Sequence, residues 1–382
     1  MTRLRVAHVI DSLAGSGGAE NRLVDEAVAL AGRFDQIVVR LFEQDQLDER
    51  LADAGIEVVP LGFRAARAAR TWPLAARRVR AILRPWRPDV VHTSLVTGNL
   101  VGQLAARGLG VPVVSTFNRT GDLAQVRRLL PGQASWRARV MHAIAARVAR
   151  SGDVHYRAVG VEALRTNCAS LGLPENRASV VPRGVDVGDV RPADRAGLGV
   201  PAGAPLVVNV ARLVPEKAQH LLVEAFAAAR SELPDAHLLV AGAPGANEAA
   251  VRAAVERHGL GAAVRLLGHR PDARSLVAAA DVFAFSSLSE GSPGAVVEAM
   301  RLGTPVAAFD IPPVAELTNG GEHAWLAPTG SVEALGKAIV AAAQAPDRGE
   351  RARAAATWAE RYALDAVADQ LGDLLERRAG RR

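Results

Sequence analysis

Cysteine is almost missing: Cys168 stands alone in 382 residues. No disulfide can form within the chain, and no cysteine-built metal site exists. Aromatic residues are scarce too, at 4%, so the cores must be built of Ala, Val and Leu. No apolar run approaches the roughly 20 residues that a membrane-spanning helix needs. The opening run Leu4–Ile10 is short, carries His8 and leads into glycines, which does not read as a secretory leader. The expected location is the cytoplasm. No D-x-D aspartate pair stands at a strand end, and the nine histidines lack ligand spacing, so no metal and no cofactor is expected.

What is present is 49% apolar residues and a net charge of +6. That is a globular composition, long enough for two domains. The charge is uneven. Arg64, Arg67, Arg70, Arg77, Arg78, Arg80, Arg84 and Arg87 form one cluster, and Arg127, Arg128, Arg137, Arg139, Arg147 and Arg150 a second. Each is read either as a solvated helix surface or as a face for anionic lipid or a phosphorylated acceptor. No nucleic-acid recognition motif accompanies them, so a nucleic-acid partner is not expected.

Short β-branched runs alternate with Ala-rich helical stretches. Strands are expected at Leu4–Ile10, Gln36–Phe42, Asp89–His92, Val111–Phe117 and Val154–Val159. After the Gly/Pro-rich stretch Arg183–Pro205, read as a linker, they resume at Leu206–Val210, His237–Ala241, Val264–Leu267, Val282–Ser286 and Pro305–Phe309. Such alternation builds parallel sheets with helices on both faces. The expected fold is α/β, with two doubly wound Rossmann-like domains facing across a cleft. Residues 1–186 form the first, 187–365 the second, and 366–382 a helix and basic tail that packs back toward the first. Ligands in such folds bind at the carboxyl ends of the strands.

Three segments carry candidate chemistry. Gly15-Ser16-Gly17-Gly18-Ala19-Glu20 follows a strand and opens a helix, which suits either an anion or a tight turn. Arg212 and Lys217 leave the first strand of the second half, where they could converge on one diphosphate or stand as surface cations. Glu290 to Met300 contains Pro293 as a first helical residue, then Gly294 and Ala295, whose free amides suit a phosphate. Glu290 and Glu298 flank that helix start, either as hydroxyl acceptors or as solvent-facing glutamates.

The order of these elements resembles glycosyltransferase family 4. The likeness rests on Gly17-Gly18-Ala19-Glu20, Arg183-Gly184-Val185-Asp186, Ala211-Arg212-Leu213 with Lys217, and Val264-Arg265-Leu266-Leu267-Gly268-His269-Arg270. It continues through Ala279-Ala280-Asp281-Val282-Phe283, Ser289-Glu290-Gly291, Glu298-Ala299-Met300 and Gly303-Thr304-Pro305-Val306. The resemblance implies a retaining, metal-independent GT-B enzyme using a nucleotide-diphosphate sugar, UDP or GDP in the first instance. Arg212, Lys217 and Glu290 would be the catalytic group. Arg212 and Lys217 would grip the diphosphate, with Gly17 and Gly18 closing over it. Glu290 would hold sugar hydroxyls, Glu298 the ribose, Gly294 and Ala295 the distal phosphate, and Leu267, His269 and Arg270 the base. Glu20, His92, Asn118 and Arg119 are the acceptor-side candidates. The acceptor class implied is a glycan, a lipid-linked acceptor or a small molecule.

The chain departs from the family pattern at three places. Asn118 stands where many relatives carry a histidine, and asparagine cannot act as a base. Arg183 replaces an asparagine, and Ser292 an aromatic. Two alternatives on the same fold are a sugar-nucleotide epimerase and a non-catalytic donor-binding scaffold, the latter motivated by Asn118.

Overall fold

The computed structural model describes residues 3–15, 18–64, 68–118 and 136–380. Gly17, Arg119, Arg67, Arg127 and Arg128 lie outside the described residues. The chain divides into two units: Met1–Gly184 with Leu364–Arg382, and Val185–Ala363.

Unit 1 runs β1 (Leu4–Ile10), α1 (Gly18–Ala29), β2 (Phe34–Phe42), α2 (Asp48–Asp53), β3 (Glu57–Phe63), α3 (Ala68–Trp86), β4 (Val90–Ser94), α4 (Val96–Arg107), β5 (Val113–Phe117), α5 (Trp136–Ser151), β6 (Val154–Ala158), α6 (Val161–Leu171) and β7 (Ala178–Val180). Its seven strands order as β3-β2-β1-β4-β5-β6-β7, all parallel. Alternate side chains go to opposite faces. Ala7, Val9 and Val91 join one apolar cluster, and Leu4, Val6, Val90 and Val114 another. Both faces are covered, which is why β1 reads as a nearly unbroken apolar run.

Unit 2 runs β8 (Leu206–Val210), α7 (Gln219–Ala229), β9 (His237–Ala241), α8 (Glu248–Arg257), β10 (Val264–Gly268), α9 (Ala273–Ala279), β11 (Val282–Phe285), α10 (Gly294–Arg301), β12 (Val306–Asp310), α11 (Pro312–Leu317), β13 (Trp325–Pro328), α12 (Val332–Gln344) and α13 (Arg348–Ala359). Its six parallel strands order as β10-β9-β8-β11-β12-β13. The last helix, α14 (Leu364–Arg378), belongs to unit 1. Its Val367, Leu371, Leu374 and Leu375 pack on the Leu4/Val6 face.

The Gly/Pro-rich segment Arg183–Pro205 is not free linker. Val185, Leu198, Val200 and Ala204 are buried in the core of unit 2, and the Arg195 side chain bonds the carbonyl of Ala279. Its glycines and prolines build turns that fold onto the sheet, a pattern without periodicity that reads as a linker from sequence alone.

Two of the buried polar systems in unit 1 are built on histidine and on arginine. In the first, His8 Nε2 meets Gln36 Oε1 at 2.8 Å, His8 Nδ1 meets His92 Nδ1 at 3.0 Å, and His92 Nε2 meets Thr116 Oγ1 at 2.9 Å. The Gln36 amide donates onward to Ala27 O at 2.9 Å. The glutamine oxygen only accepts, so His8 donates from Nε2 and accepts at Nδ1. His92 then donates from Nδ1 and accepts the Thr116 hydroxyl. In the second, Arg157 is fully buried and forks onto both oxygens of Glu26 at 2.6 Å each, with further bonds to Val181 O and Pro182 O.

Candidate functional site

The strand order of unit 2 reverses between β8 and β11, which pair directly. At such a switch point, loops leaving neighbouring strands open a crevice at their carboxyl ends. The loop after β8 carries Arg212 and Lys217. The loop after β11 carries Glu290 and then α10.

These two loops are tied together. Ser286 Oγ donates to the carbonyl of Lys217 at 2.9 Å, and the Leu288 amide to Glu216 O at 2.9 Å. Lys217 Nζ forms an ion pair with Glu290 Oε1 and lies 5.7 Å from the Phe285 ring centre. Ala218, fully buried, takes the left-handed conformation (φ 46°) that turns the chain from Lys217 into α7. A non-glycine residue held there carries strain, which occurs mostly where a site dictates backbone direction.

Close backbone approach shapes the other side of the crevice. A Cβ on Gly242 would overlap the carbonyl of Ala211, and one on Gly245 the carbonyl of Leu213. The loop after β9 can therefore lie against the Arg212 turn only because these two residues are glycine. Arg212 itself is exposed.

Pro293 is the N-cap of α10 in an extended conformation, not its first helical residue. The helix starts at Gly294, so the first amides, Gly294 and Ala295, still lack intrahelical acceptors. One turn on, Glu298 is held by Arg274, Nη2 to Oε1 at 3.2 Å. The β10 end places Leu267 half-buried and His269 exposed, with Gly268 at φ 68°. Arg270 forks onto Asp272 at 2.7 Å twice, so its guanidinium is committed to its own loop.

In unit 1, Gly18 is exposed at the start of α1, and Glu20 accepts from Ser12 Oγ at 3.3 Å. Asn118 Nδ2 donates to Ser94 Oγ at 3.1 Å, and its buried Oδ1 has no partner among the described residues. His92 is not a strand end: β4 runs on to Ser94. Its ring is buried with both nitrogens engaged, and burial first, then the charges of His8, Arg157 and Arg22, hold its pKa well below the usual histidine range. It is a core residue and offers no free base.

Sequence reasoning passes over Asp11 and Arg274. Asp11 directly follows β1 and accepts from the amides of Thr97 (3.3 Å) and Gly98 at the start of α4. Burial raises its carboxyl to about 6 against those bonds. The same corner holds Leu95 at φ 68° and a Val96 that is 83% exposed. The available signal was a carboxylate at a strand's carboxyl end. Arg274 gave no signal, because its pairing with Glu298 arises only from folding. Among the described residues, no three His, Cys, Asp or Glu side chains are grouped to hold a metal ion.

Two Rossmann-like units, each built on a parallel sheet, one with a cation–carboxylate pair at its switch point, match the architecture of the GT-B class of sugar transferases. Residues 190–358 match the model for glycosyl transferases group 1, and residues 16–189 that for glycosyltransferase family 4. A 2-deoxystreptamine N-acetyl-D-glucosaminyltransferase of Streptomyces fradiae is 33% identical over 74% of this chain and 70% of its own length. A phosphatidyl-myo-inositol mannosyltransferase of Mycobacterium leprae is 28% identical over 93% and 91%. In fold, the chain superposes on Anabaena Alr3699/HepE in complex with UDP with a TM-score of 0.82, at 23% identity, covering 98% of this chain and all of that one. The chain belongs to glycosyltransferase family 4 and is an enzyme of sugar transfer.

Proposed function

We propose that the enzyme transfers a sugar from a nucleotide-diphosphate donor to a hydroxyl acceptor with retention at the anomeric carbon and without a metal. The observation that carries this is the Lys217–Glu290 pair beside the amide end of α10. It sets a cation for a leaving diphosphate against a carboxylate for sugar hydroxyls. Lys217 and Arg212 would neutralise the charge that develops as the sugar–phosphate bond breaks. Gly294 and Ala295 would donate to the distal phosphate, Glu298 would hold the ribose and the Leu267–Arg270 backbone the base. UDP and GDP are the donors of first choice, and HepE, solved with UDP and with UDP-glucose, supports the former. In a front-face course the anomeric carbon gains the acceptor oxygen, the leaving phosphate takes the acceptor's proton, and nucleoside diphosphate departs. Asn118 would then orient a hydroxyl and need not accept a proton. Selective thermal stabilisation by one nucleoside diphosphate with EDTA present tests the donor site.

A lipid-borne acceptor is favoured by α3. Residues 64–88 contain no Asp or Glu. Arg77, Arg78, Arg84 and Arg87 are exposed beside Leu74, 48% exposed. A basic helix with apolar residues interleaved suits an anionic membrane surface. The wild type is expected to float with phosphatidylglycerol vesicles at low salt, and a variant carrying Arg77→Glu, Arg78→Glu and Arg84→Glu to remain in the pellet fraction. Failure of the wild type to float at low salt would remove this reading. No helix among the described residues is long and apolar enough to cross a membrane.

A further inference from the structure

The Arg212 turn is held from behind by a glutamine. Gln219 opens α7 and is fully buried. Its Nε2 reaches back to two carbonyls of the turn, Ala211 O at 3.3 Å and Arg212 O at 2.9 Å. Its Oε1 accepts from Asn247 Nδ2 at 3.0 Å, and Asn247 Oδ1 meets His220 Nδ1 at 3.1 Å. The orientation of each amide follows. Carbonyls only accept, so Gln219 turns its NH2 group to them and its oxygen to Asn247. Asn247 then turns its oxygen to His220, which donates from Nδ1. The Asn247 backbone amide takes the next carbonyl, Leu213 O, at 2.9 Å. Asn247 precedes α8 and is itself 4% exposed, so the brace rests on a second helix.

Buried loop carbonyls need donors, and leaving one unpaired costs about 1–3 kcal/mol. Gln219 could meet that need for the fold alone. What sets it apart is which carbonyls are tied. On this turn a side-chain donor holds the carbonyl of each cation: Gln219 that of Arg212, and Ser286 that of Lys217. Arg212 is exposed, and its guanidinium has no hydrogen-bond partner among the described residues. Among those residues only its own backbone directs it. We propose that Gln219, braced by Asn247, is a positioning residue for the donor site: it fixes the backbone from which Arg212 reaches the diphosphate. This rests on the donor role given to Arg212 above. A guanidinium aimed in advance gives up less conformational freedom when the ligand binds.

The measurement is calorimetric titration of the full chain with UDP, GDP and ADP, with EDTA present and well below the thermal midpoint of every variant. Gln219→Met keeps the buried stem and removes both donors. With the nucleotide that binds the wild type most tightly, Arg212→Ala and Gln219→Met are each expected to raise Kd about tenfold, the worth of a charge-assisted hydrogen bond. The double variant is expected to match Arg212→Ala, because a positioning residue then has nothing left to position. Asn247→Ala leaves the Gln219 amide in place but unbraced, and a smaller rise in Kd is expected. It carries the test if Gln219→Met does not fold, and wild-type affinity there would overturn the role. A purely structural glutamine would lower the midpoint of Gln219→Met and leave Kd unmoved. That result, or an equal further loss of affinity on top of Arg212→Ala, would overturn the positioning role while the donor site stands. Wild-type Kd in Arg212→Ala, or no binding of any nucleotide by the wild type, would remove the donor role of Arg212 and the positioning role with it.

Discussion

Lys217→Ala is expected to slow release of nucleoside diphosphate from the preferred sugar donor by about 10²–10³-fold, mostly in kcat. The physical reason is placement. Lys217 closes a tight turn whose carbonyl is held by Ser286, so the ammonium is positioned before any ligand arrives. A cation fixed in advance stabilises developing charge without reorganising when the bond breaks. Its loss also leaves Glu290 unpaired, only 13% exposed, where the leaving diphosphate would become negative. Like charge there raises the barrier further. The variant should fold, because the backbone carbonyl that Ser286 uses is retained. Lys217→Arg restores the charge but not the compact ammonium, and partial recovery is expected. A folded Lys217→Ala enzyme with wild-type turnover would contradict the role given to this residue.

Asp11→Asn is expected to make unit 1 more stable at pH 7 by about 3 kcal/mol, with the advantage gone near pH 4. The sign follows from which state binds protons. Burial holds His8 at about 4, against its partly compensating bond to Gln36 and the charge of Glu26. Between about pH 6.5 and 4 the unfolded chain therefore carries a proton that the folded chain refuses. Stability is lost across that window as pH falls, by about 3 kcal/mol from His8. His92 acts in the same direction. Asp11 acts oppositely: its folded pKa is raised to about 6, so from pH 6 down to about 4 the folded state takes up a proton first and gains a comparable amount. In the wild type the two nearly offset and His92 sets the net slope. Asparagine still accepts from Thr97 and Gly98 but does not titrate, so the variant shows the full histidine loss. Hydrogen exchange of the β1 and β4 amides reads unit 1 alone. Parallel stability curves for variant and wild type between pH 4 and 7 would contradict this account.

The interior strands were legible because they are buried on both faces. Leu4–Ile10, Leu206–Val210 and His237–Ala241 fold as strands over the residues read from sequence. The strands left unread are β3, β7 and β13, and all three are sheet edges. β3 carries Pro60 and alternates between exposed and half-buried positions, and β7 has only three residues. An edge strand needs neither length nor a continuous apolar run, so it leaves a weak imprint. The same division holds for the candidate site. Lys217 and Glu290 stand at the ends of strands that could be read, although their pairing spans 73 residues. Gly242 and Gly245 are essential only because of what their backbones lie against. Asp11 matters through its bonds to α4, and His92 was misplaced by two residues of strand length. Those facts belong to tertiary packing, which local pattern does not encode.

Unit 2 is proposed to bind a nucleotide-diphosphate sugar through Arg212, Lys217 and α10. The most direct measurement is the thermal midpoint of the full chain with UDP, GDP, ADP and their common sugar conjugates, EDTA present throughout. One nucleotide is expected to raise the midpoint selectively in the wild type, with the rise diminished in Lys217→Ala. No rise with any of them, or an equal rise with and without Lys217, would contradict this binding.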